Sequence, residues 1–270
     1  MSHSDDCAGP LHATGFQIRS LGLQDLARCI ALGWHDMVRI GWPSYLHGLL
    51  VFVFSLITLR TALVEVDLLP GVATAFVFVG PMLATGLYGM SRRVEAGKAA
   101  GIRDAFCAWR TASRCLWRFS LLLIAIGLLW IIVSALLFHF FVNMEIHHPL
   151  DFIHYVLSQE TSHFILWTLA GGLFAALVFG MTVVTVPLLL DRDVTTKTAI
   201  LVSIRAVGEN PGPMTFWALF IGLCTGTAFA TAMSGFVLLY PLMGHASWHL
   251  YRQVIEITDG EAIPTRAEAT

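Results

Sequence analysis

The sequence predicts an all-α membrane protein: a polytopic bundle of six transmembrane helices with three amphipathic helices on the cytoplasmic side. Hydrophobic residues make up 56% of the 270-residue chain and charged residues only 13%, whereas soluble domains carry about 25% charged residues. The charged residues leave five long uncharged runs, and about 20 such residues cross a bilayer as a helix. Lys and Arg collect on one side of these runs. A water-soluble globular domain is therefore excluded.

The uncharged runs define the predicted spans. The fifth run, residues 210–251, is too long for one tilted helix, and small polar residues interrupt it, so we split it near Ala230. A single transmembrane domain, 21–256, then lies between polar tails at 1–20 and 257–270. Its predicted spans are at about 44–64, 69–90, 119–142, 163–189, 214–230 and 232–251.

The distribution of basic residues predicts the topology. With six spans and a cytoplasmic N-terminus, every Lys and Arg except Arg60 lies on the inner side. This matches the excess of positive charge in cytoplasmic loops. The sequence therefore predicts a multi-pass inner-membrane protein with both termini in the cytoplasm.

The inner segments have the 3.6-residue periodicity of amphipathic helices. In the first, an apolar stripe opposes a polar one; the apolar residues are Leu23, Leu26, Ile30, Trp34 and Met37, and the polar ones are Asp25, Arg28, Asp36 and Arg39. Similar patterns occur at residues 102–116 and 200–207. These patterns predict three interfacial helices.

Each interfacial helix precedes a pair of spans, and the second span of each pair contains a proline. The prolines are Pro81, Pro187 and Pro241, and each predicts a helix kink. We infer a threefold quasi-repeat whose kinked helices face a common centre. The alternative is that any six-span protein with inner helices has this pattern. Small residues four apart, such as Gly222 and Gly226, predict close helix packing.

A basic segment at residues 92–118 is interleaved with Trp109 and Trp117. We expect it to lie on an anionic leaflet. The predicted headgroup contacts are Arg92, Arg93, Arg103, Arg110, Arg114 and Arg118. Nucleic-acid binding is not inferred, because the membrane topology already accounts for the charge.

Histidines are the candidate metal ligands. His245 and His249 are four residues apart, so their imidazoles share one helix face, and His47 is a candidate third ligand. Haem, copper or zinc are the alternatives for such a site. The other interpretation is that this end of the helix holds interfacial anchors, namely Ser247, Trp248, His249, Tyr251 and Arg252. An outer group, His147, His148 and His154, is a further candidate for copper or zinc, although a solvated loop explains it as well.

The chain has no recognisable catalytic motif, so no catalytic residue is predicted and the sequence favours a protein without enzymatic activity. The uncharged runs hold no Asp, Glu, Lys or Arg, which argues against a carboxylate proton relay within a span. A carrier for apolar molecules would use hydroxyl groups as its polar lining. The candidates are Thr182, Thr185, Thr225 and Thr227, which otherwise bond to their own helices.

Three stretches carry a resemblance to a known family. They are GPMLATGLYGMSRRVEAG (Gly80–Gly97), VPLLLDRD (Val186–Asp193) and GHASWHLYR (Gly244–Arg252). The chain resembles a bacterial, largely proteobacterial, family of predicted integral membrane proteins catalogued as a domain of unknown function, over roughly residues 16–256. The resemblance implies a bacterial inner-membrane location and six-span hydropathy, and no site residues.

The sequence therefore favours a non-catalytic structural or accessory membrane component, beside a respiratory complex or another membrane partner. The first alternative is a small carrier or channel for an apolar or weakly polar solute. The second is a metal- or haem-binding membrane protein that uses His47, His245 and His249.

Overall fold

The computed structural model describes residues 15–64, 80–141 and 161–258, which are almost entirely helical. Two short strands, β1 (Gly15–Ile18) and β2 (Ile255–Thr258), flank the helices. The helices are α1 (Leu23–Ile40), α2 (Trp42–Val64), α3 (Thr85–Glu95), α4 (Ile102–Arg110), α5 (Arg114–Phe141), α6 (Thr161–Thr182), α7 (Thr185–Asp191), α8 (Thr196–Glu209), α9 (Pro211–Ala230) and α10 (Phe236–Val254).

Four helical segments among the described residues are long and apolar enough to cross a membrane. They are Trp42–Arg60, Arg114–Leu137, Ile165–Asp191 and Pro211–Ala230. The predicted all-helical membrane class is therefore confirmed. The predicted span at 69–90 begins in residues outside the described part of the chain. Where a span was predicted at 232–251, the structure has α10, a less apolar helix whose side chains are mostly buried inside the protein.

Helix α10 lies at the centre of the described fold and packs against α1, α2, α3 and α9. Its approach to two of these helices depends on glycine. A Cβ atom built on Gly33 of α1 would lie 2.5 Å from the backbone nitrogen of Ala246, and one on Gly48 of α2 would overlap the Val237 carbonyl oxygen. Pro241 cannot supply the N–H that normally bonds to the Val237 oxygen, so α2 covers the acceptor that the proline leaves unpaired.

The small-residue pair predicted to drive packing does not do so within the described part of the chain. A Cβ atom built on Gly222 or on Gly226 would have no described neighbour within 4 Å. Both glycines lie on the exposed face of α9. The prediction was wrong for this pair because spacing alone does not tell which face of a helix meets another helix.

Two of the three predicted kink prolines lie near interruptions of a helix. Residues 80–83 are helical and a turn at Ala84 separates them from α3, just after Pro81. Pro187 follows the break between α6 and α7. Pro241 lies inside α10, which continues through it. The kinks themselves remain a prediction.

The break between α6 and α7 is bridged by a side chain from α8. The Ser203 hydroxyl donates to the Gly180 carbonyl at 2.8 Å and accepts from the Val184 N–H at 3.2 Å. Thr185 donates to the Met181 carbonyl at 2.6 Å. Backbone groups freed by a broken helix must find partners within a membrane protein, and these hydroxyls provide them.

The two ends of the described chain meet in an antiparallel pair. β1 pairs with β2 in the register Gly15 to Thr258 and Ile18 to Ile255. Asn210 fixes the same region, because its side chain accepts from the Leu21 N–H and donates to the Arg19 carbonyl. Part of each predicted polar tail is therefore ordered, and the two segments lie on the same side of the helices.

Helix α1 has three faces rather than the predicted two. Leu26, Cys29, Gly33, Asp36 and Met37 are buried, and Leu23, Trp34 and Val38 form an exposed apolar face. Arg28, His35 and Arg39 lie on an exposed polar face. An exposed apolar face beside a polar one is typical of a helix at the membrane interface. Asp36 was predicted on the polar face, and its burial corrects that assignment.

The close contact of α1 with α10 gives a test of the fold. We expect Gly33→Ala to lower the free energy of unfolding by about 1 to 3 kcal/mol, because overpacking of a tight contact costs about that much. The measurement is thermal unfolding in detergent. Gly222→Ala is the matched control: its new methyl group meets open space, so it should leave stability unchanged or raise it slightly. Equal losses in both variants would contradict the predicted role of Gly33.

Candidate functional site: a buried histidine network and a central cavity

Polar side chains from four helices meet in the interior beside α10. Asp36 comes from α1, Ser44 from α2, Ser91 from α3 and His245 from α10, and each is at most 3% exposed. His249, one turn further along α10, joins them at the edge. Buried polar groups are stable only when they are hydrogen-bonded, so their geometry determines what the cluster can do.

The hydrogen bonds in this cluster run in one direction. The Ser91 hydroxyl donates to Asp36 Oδ2 at 2.7 Å and lies 2.8 Å from Nδ1 of His245. Because Ser91 donates its one proton to Asp36, His245 must donate from Nδ1. Its Nε2 then accepts from the Ser44 hydroxyl at 3.0 Å. The result is a chain from Ser44 through His245 and Ser91 to the Asp36 carboxylate.

His249 completes the coordination of the carboxylate. Its Nε2 lies 2.8 Å from Asp36 Oδ2 and donates to it. Burial raises the pKa of Asp36, but hydrogen bonds from His249 and Ser91 and the nearby imidazoles outweigh it, so the pKa lies below its ordinary value. Asp36 is therefore an ionised carboxylate in the interior.

The place of Asp36 in this cluster could not be predicted from the sequence, because Asp36 has the spacing of the polar stripe on α1. One signal was available in retrospect. Cys29, Gly33 and Asp36 follow at helical spacing on the buried face of α1, and Gly33 meets the backbone of α10. An acidic residue that continues a stripe of small residues is a candidate for burial against a polar partner helix.

The three histidines proposed as metal ligands have different surroundings. Both ring nitrogens of His245 are hydrogen-bonded to serine hydroxyls, and Nε2 of His249 is bonded to Asp36. Nδ1 of His47 is buried and has no hydrogen-bond partner among the described residues. Within the described ranges, no group of three or more His, Cys, Asp or Glu is placed to hold a metal ion. His147, His148 and His154 lie outside the described residues.

A second polar network lies at the ends of α3, α7 and α10. Glu95 accepts from Trp248 at 3.0 Å and from Arg252 at 2.9 Å. Asp191, which is buried, accepts from the Tyr251 hydroxyl at 2.8 Å. These residues belong to the three stretches that carried the family resemblance. The stretches are distant in sequence, but their side chains meet at one end of the central helix.

The predicted headgroup arginines fall into two groups. Arg92 donates to the Leu190 carbonyl at 3.0 Å, and Arg93 pairs with Asp104 at 3.0 Å, so both contribute to the internal structure. The other four are on the exposed surface; they are Arg103, Arg110, Arg114 and Arg118.

A cavity of about 110 Å³ lies between the helical segments that contain Pro81 and Pro241 and the helices α6 and α9. Its wall is mostly apolar, with a few hydroxyl groups. The lining residues are Gly80, Pro81, Ala84, Tyr88, Ala175, Val178, Phe179, Thr182, Ile221, Thr225, Phe236, Tyr240, Met243, Gly244 and Ser247. A 150 Å³ apolar cavity in another protein binds benzene, so this one suits a molecule of similar size.

The hydroxyl groups of the cavity wall differ in their bonding. Tyr240 donates to the Gly80 carbonyl at 2.9 Å, and Thr182 donates to its own helix at Val178. Tyr88 also lines the cavity, and it is almost fully buried. Of the four threonines predicted as lining, Thr182 and Thr225 line the cavity, and the other two lie elsewhere. Tyr88 was missed because tyrosine in an apolar run is common in any membrane helix.

Comparison with family models gives one finding. Residues 68–191 match the model described as "Predicted integral membrane protein (DUF2189)". This confirms the resemblance over a shorter stretch than residues 16–256, and the third motif lies outside the matched part. No curated protein and no solved structure matches the chain.

The buried carboxylate predicts a loss of stability in acid. A group whose pKa is lowered by folding stabilises the fold above its ordinary pKa, about 3.9 for Asp, and this contribution disappears as the pH falls through the lower folded value. We expect Asp36→Asn to cost about 1.5 to 3 kcal/mol at pH 7, the value of hydrogen bonds to a charged group, and to flatten the acid limb of the unfolding curve. Thermal unfolding between pH 7 and pH 3 measures both.

Glu209→Gln is the matched control for Asp36→Asn. Glu209 pairs with Arg205 at 2.9 Å on the exposed face of α8, and such pairs contribute about 0.5 kcal/mol or less. If both variants lost the same small amount, the Asp36 carboxylate would not have the structural role assigned to it.

Proposed function

We propose that this integral membrane protein is a small carrier that binds a neutral, largely apolar molecule of about the size of a phenol in its central cavity. The observation that carries the proposal is the cavity itself, which lies between the segments that contain Pro81 and Pro241 and the helices α6 and α9. Its apolar wall favours an uncharged solute. The Tyr88 hydroxyl offers one hydrogen bond to that solute.

The accessory role expected from the sequence stays a prediction. The cavity favours the carrier, because a purely structural bundle gains stability from filling its centre. Metal or haem binding by His47, His245 and His249 is the weakest of the three hypotheses, since a metal at His245 would have to replace two serine hydrogen bonds.

The carrier hypothesis includes six spans in a threefold arrangement. Its support is the order of the helices: α1, α4 and α8 are each followed directly by a long apolar helix, α2, α5 and α9. The pairing of β1 with β2 favours an even number of spans, because it brings the two ends together on one side. The exposed arginines at 103, 110, 114 and 118 would contact anionic headgroups on that side, in a bacterial inner membrane with cytoplasmic termini.

The topology has a direct test. We expect a reporter that is active only in the periplasm to be silent when fused after Thr258 and active when inserted near Asp151, which lies outside the described residues. Protease protection of the same fusions in spheroplasts is the measurement. An active reporter at the C-terminus would place that end outside the cytoplasm and would contradict the proposal.

Binding in the cavity can be measured with 4-fluorophenol and fluorine NMR in nanodiscs. We expect a saturable component above bilayer partitioning, and tighter binding than for fluorobenzene by about fivefold to tenfold, because one hydrogen bond contributes about 1 kcal/mol. Ala175 lines the cavity, whereas Ala176 beside it is exposed on α6. Ala175→Leu should abolish the saturable component and Ala176→Leu should retain it.

Tyr88→Phe tests the hydrogen bond to the solute separately from the fit of the solute in the apolar cavity. It should bring the affinity for 4-fluorophenol close to that for fluorobenzene while saturable binding of both persists. Partitioning without any saturable component in the wild type would overturn the carrier hypothesis.

A further inference from the structure

A second pocket lies between α2 and α4, separate from the central cavity. Its volume is about 350 Å³, roughly three times that of the central cavity. The lining residues are His47, Leu50, Val51, Phe54, Leu83, Ile102, Ala105, Phe106 and Trp109. The polar groups of the wall are the His47 imidazole and the Trp109 ring nitrogen, and none of the lining side chains is charged.

The pocket is reached from the apolar surface of the protein. Phe106 is 70% exposed, and Leu50 and Phe54 are more than half exposed. These residues flank the pocket on an apolar candidate span, α2, and on an amphipathic helix, α4. A molecule dissolved in the bilayer therefore has a direct route to the pocket, whereas an ion has none.

His47 gives the pocket its single strong hydrogen-bonding group. The imidazole packs against α3, where a Cβ atom on Gly86 would lie 2.6 Å from Cε1 and 2.7 Å from Nε2. Glycine at position 86 therefore leaves room for the ring. Nδ1 is buried and has no partner among the described residues. A buried ring nitrogen without a partner is rare in a stable interior, and the pocket is the open space that borders this imidazole.

We propose that this pocket binds a neutral, lipid-soluble molecule whose polar end carries a carbonyl or hydroxyl oxygen and is hydrogen-bonded to His47. The apolar body of the ligand lies along Leu50, Phe54 and Phe106. Because the wall has no charged group, we expect the end of the ligand that lies in the pocket to be uncharged. The site shares no lining residue with the central cavity, so it stands whether or not the carrier hypothesis holds.

The test uses dodecan-2-one labelled with ¹³C at the carbonyl, with purified full-length protein in detergent. Saturable binding is measured with a radiolabelled form, and isotope-edited infrared spectroscopy reports the carbonyl stretch of the bound ketone. We expect saturable binding about fivefold to tenfold tighter than that of dodecane, and a carbonyl band shifted to lower wavenumber by hydrogen bonding.

His47→Leu should remove the band shift and bring the affinity for the ketone close to that for dodecane. His35→Leu is the matched control, since His35 is exposed on α1 outside the pocket, and it should keep both signals. Dodecyl phosphate should not compete with the ketone.

Phe106→Ala keeps the proposal testable if the His47 variant fails to fold, because Phe106 is exposed and its loss leaves the interior unchanged. It should weaken the binding of ketone and alkane alike by severalfold, while Leu121→Ala, an exposed leucine on α5, should not. A wild type without saturable binding, or with a carbonyl band that His47→Leu leaves unchanged, would overturn the proposal.

Discussion

The enclosure of α10 is the constraint on which the rest of the described structure depends. This helix carries His245, Ser247 and His249 between apolar residues, so it cannot face lipid without leaving polar groups unpaired. Helices α1, α2, α3 and α9 surround it. Their approach requires a missing side chain at two points, Gly33 and Gly48, where any Cβ atom would enter the backbone of α10. The close contacts at the two glycines and the polar side chains of α10 therefore both require α10 to be enclosed by these helices.

The buried hydrogen-bond network fixes how the helices around α10 are positioned relative to it. A charged group in the interior is costly unless several donors surround it, and Asp36 has donors from two other helices, Ser91 and His249. The serine can donate once only, which fixes the proton of His245 on Nδ1 and makes Ser44 its donor. The positions of α1, α2, α3 and α10 are thus coupled through one carboxylate, and a shift of any of them breaks a bond in the chain.

Hydropathy could predict the membrane class and the long apolar helices, because each helix that faces lipid needs its own stretch of apolar residues. It could not predict α10 as an internal helix, since its contacts depend on which helices lie beside it. The same limit explains Asp36, whose spacing on α1 is that of a solvated stripe until α10 is placed. The β1–β2 pair was also missed, because short strands of four residues in polar tails have no periodic signal.

The apolar runs hold no charged residue, and this absence argues against a carboxylate proton relay within a span. The structure nevertheless contains a buried carboxylate, Asp36, which lies outside those runs. The carboxylate that accepts from His249 and Ser91 comes from α1, which lies outside the uncharged runs, so a search within the runs could not find it. The chain from Ser44 to Asp36 has a single proton order, and its two serines and its imidazole are fully buried. Ser44 is therefore shielded from solvent in this structure, and the chain couples the positions of the helices that contribute to it. Neither of the two apolar pockets is lined by Asp36, Ser44, Ser91 or His245.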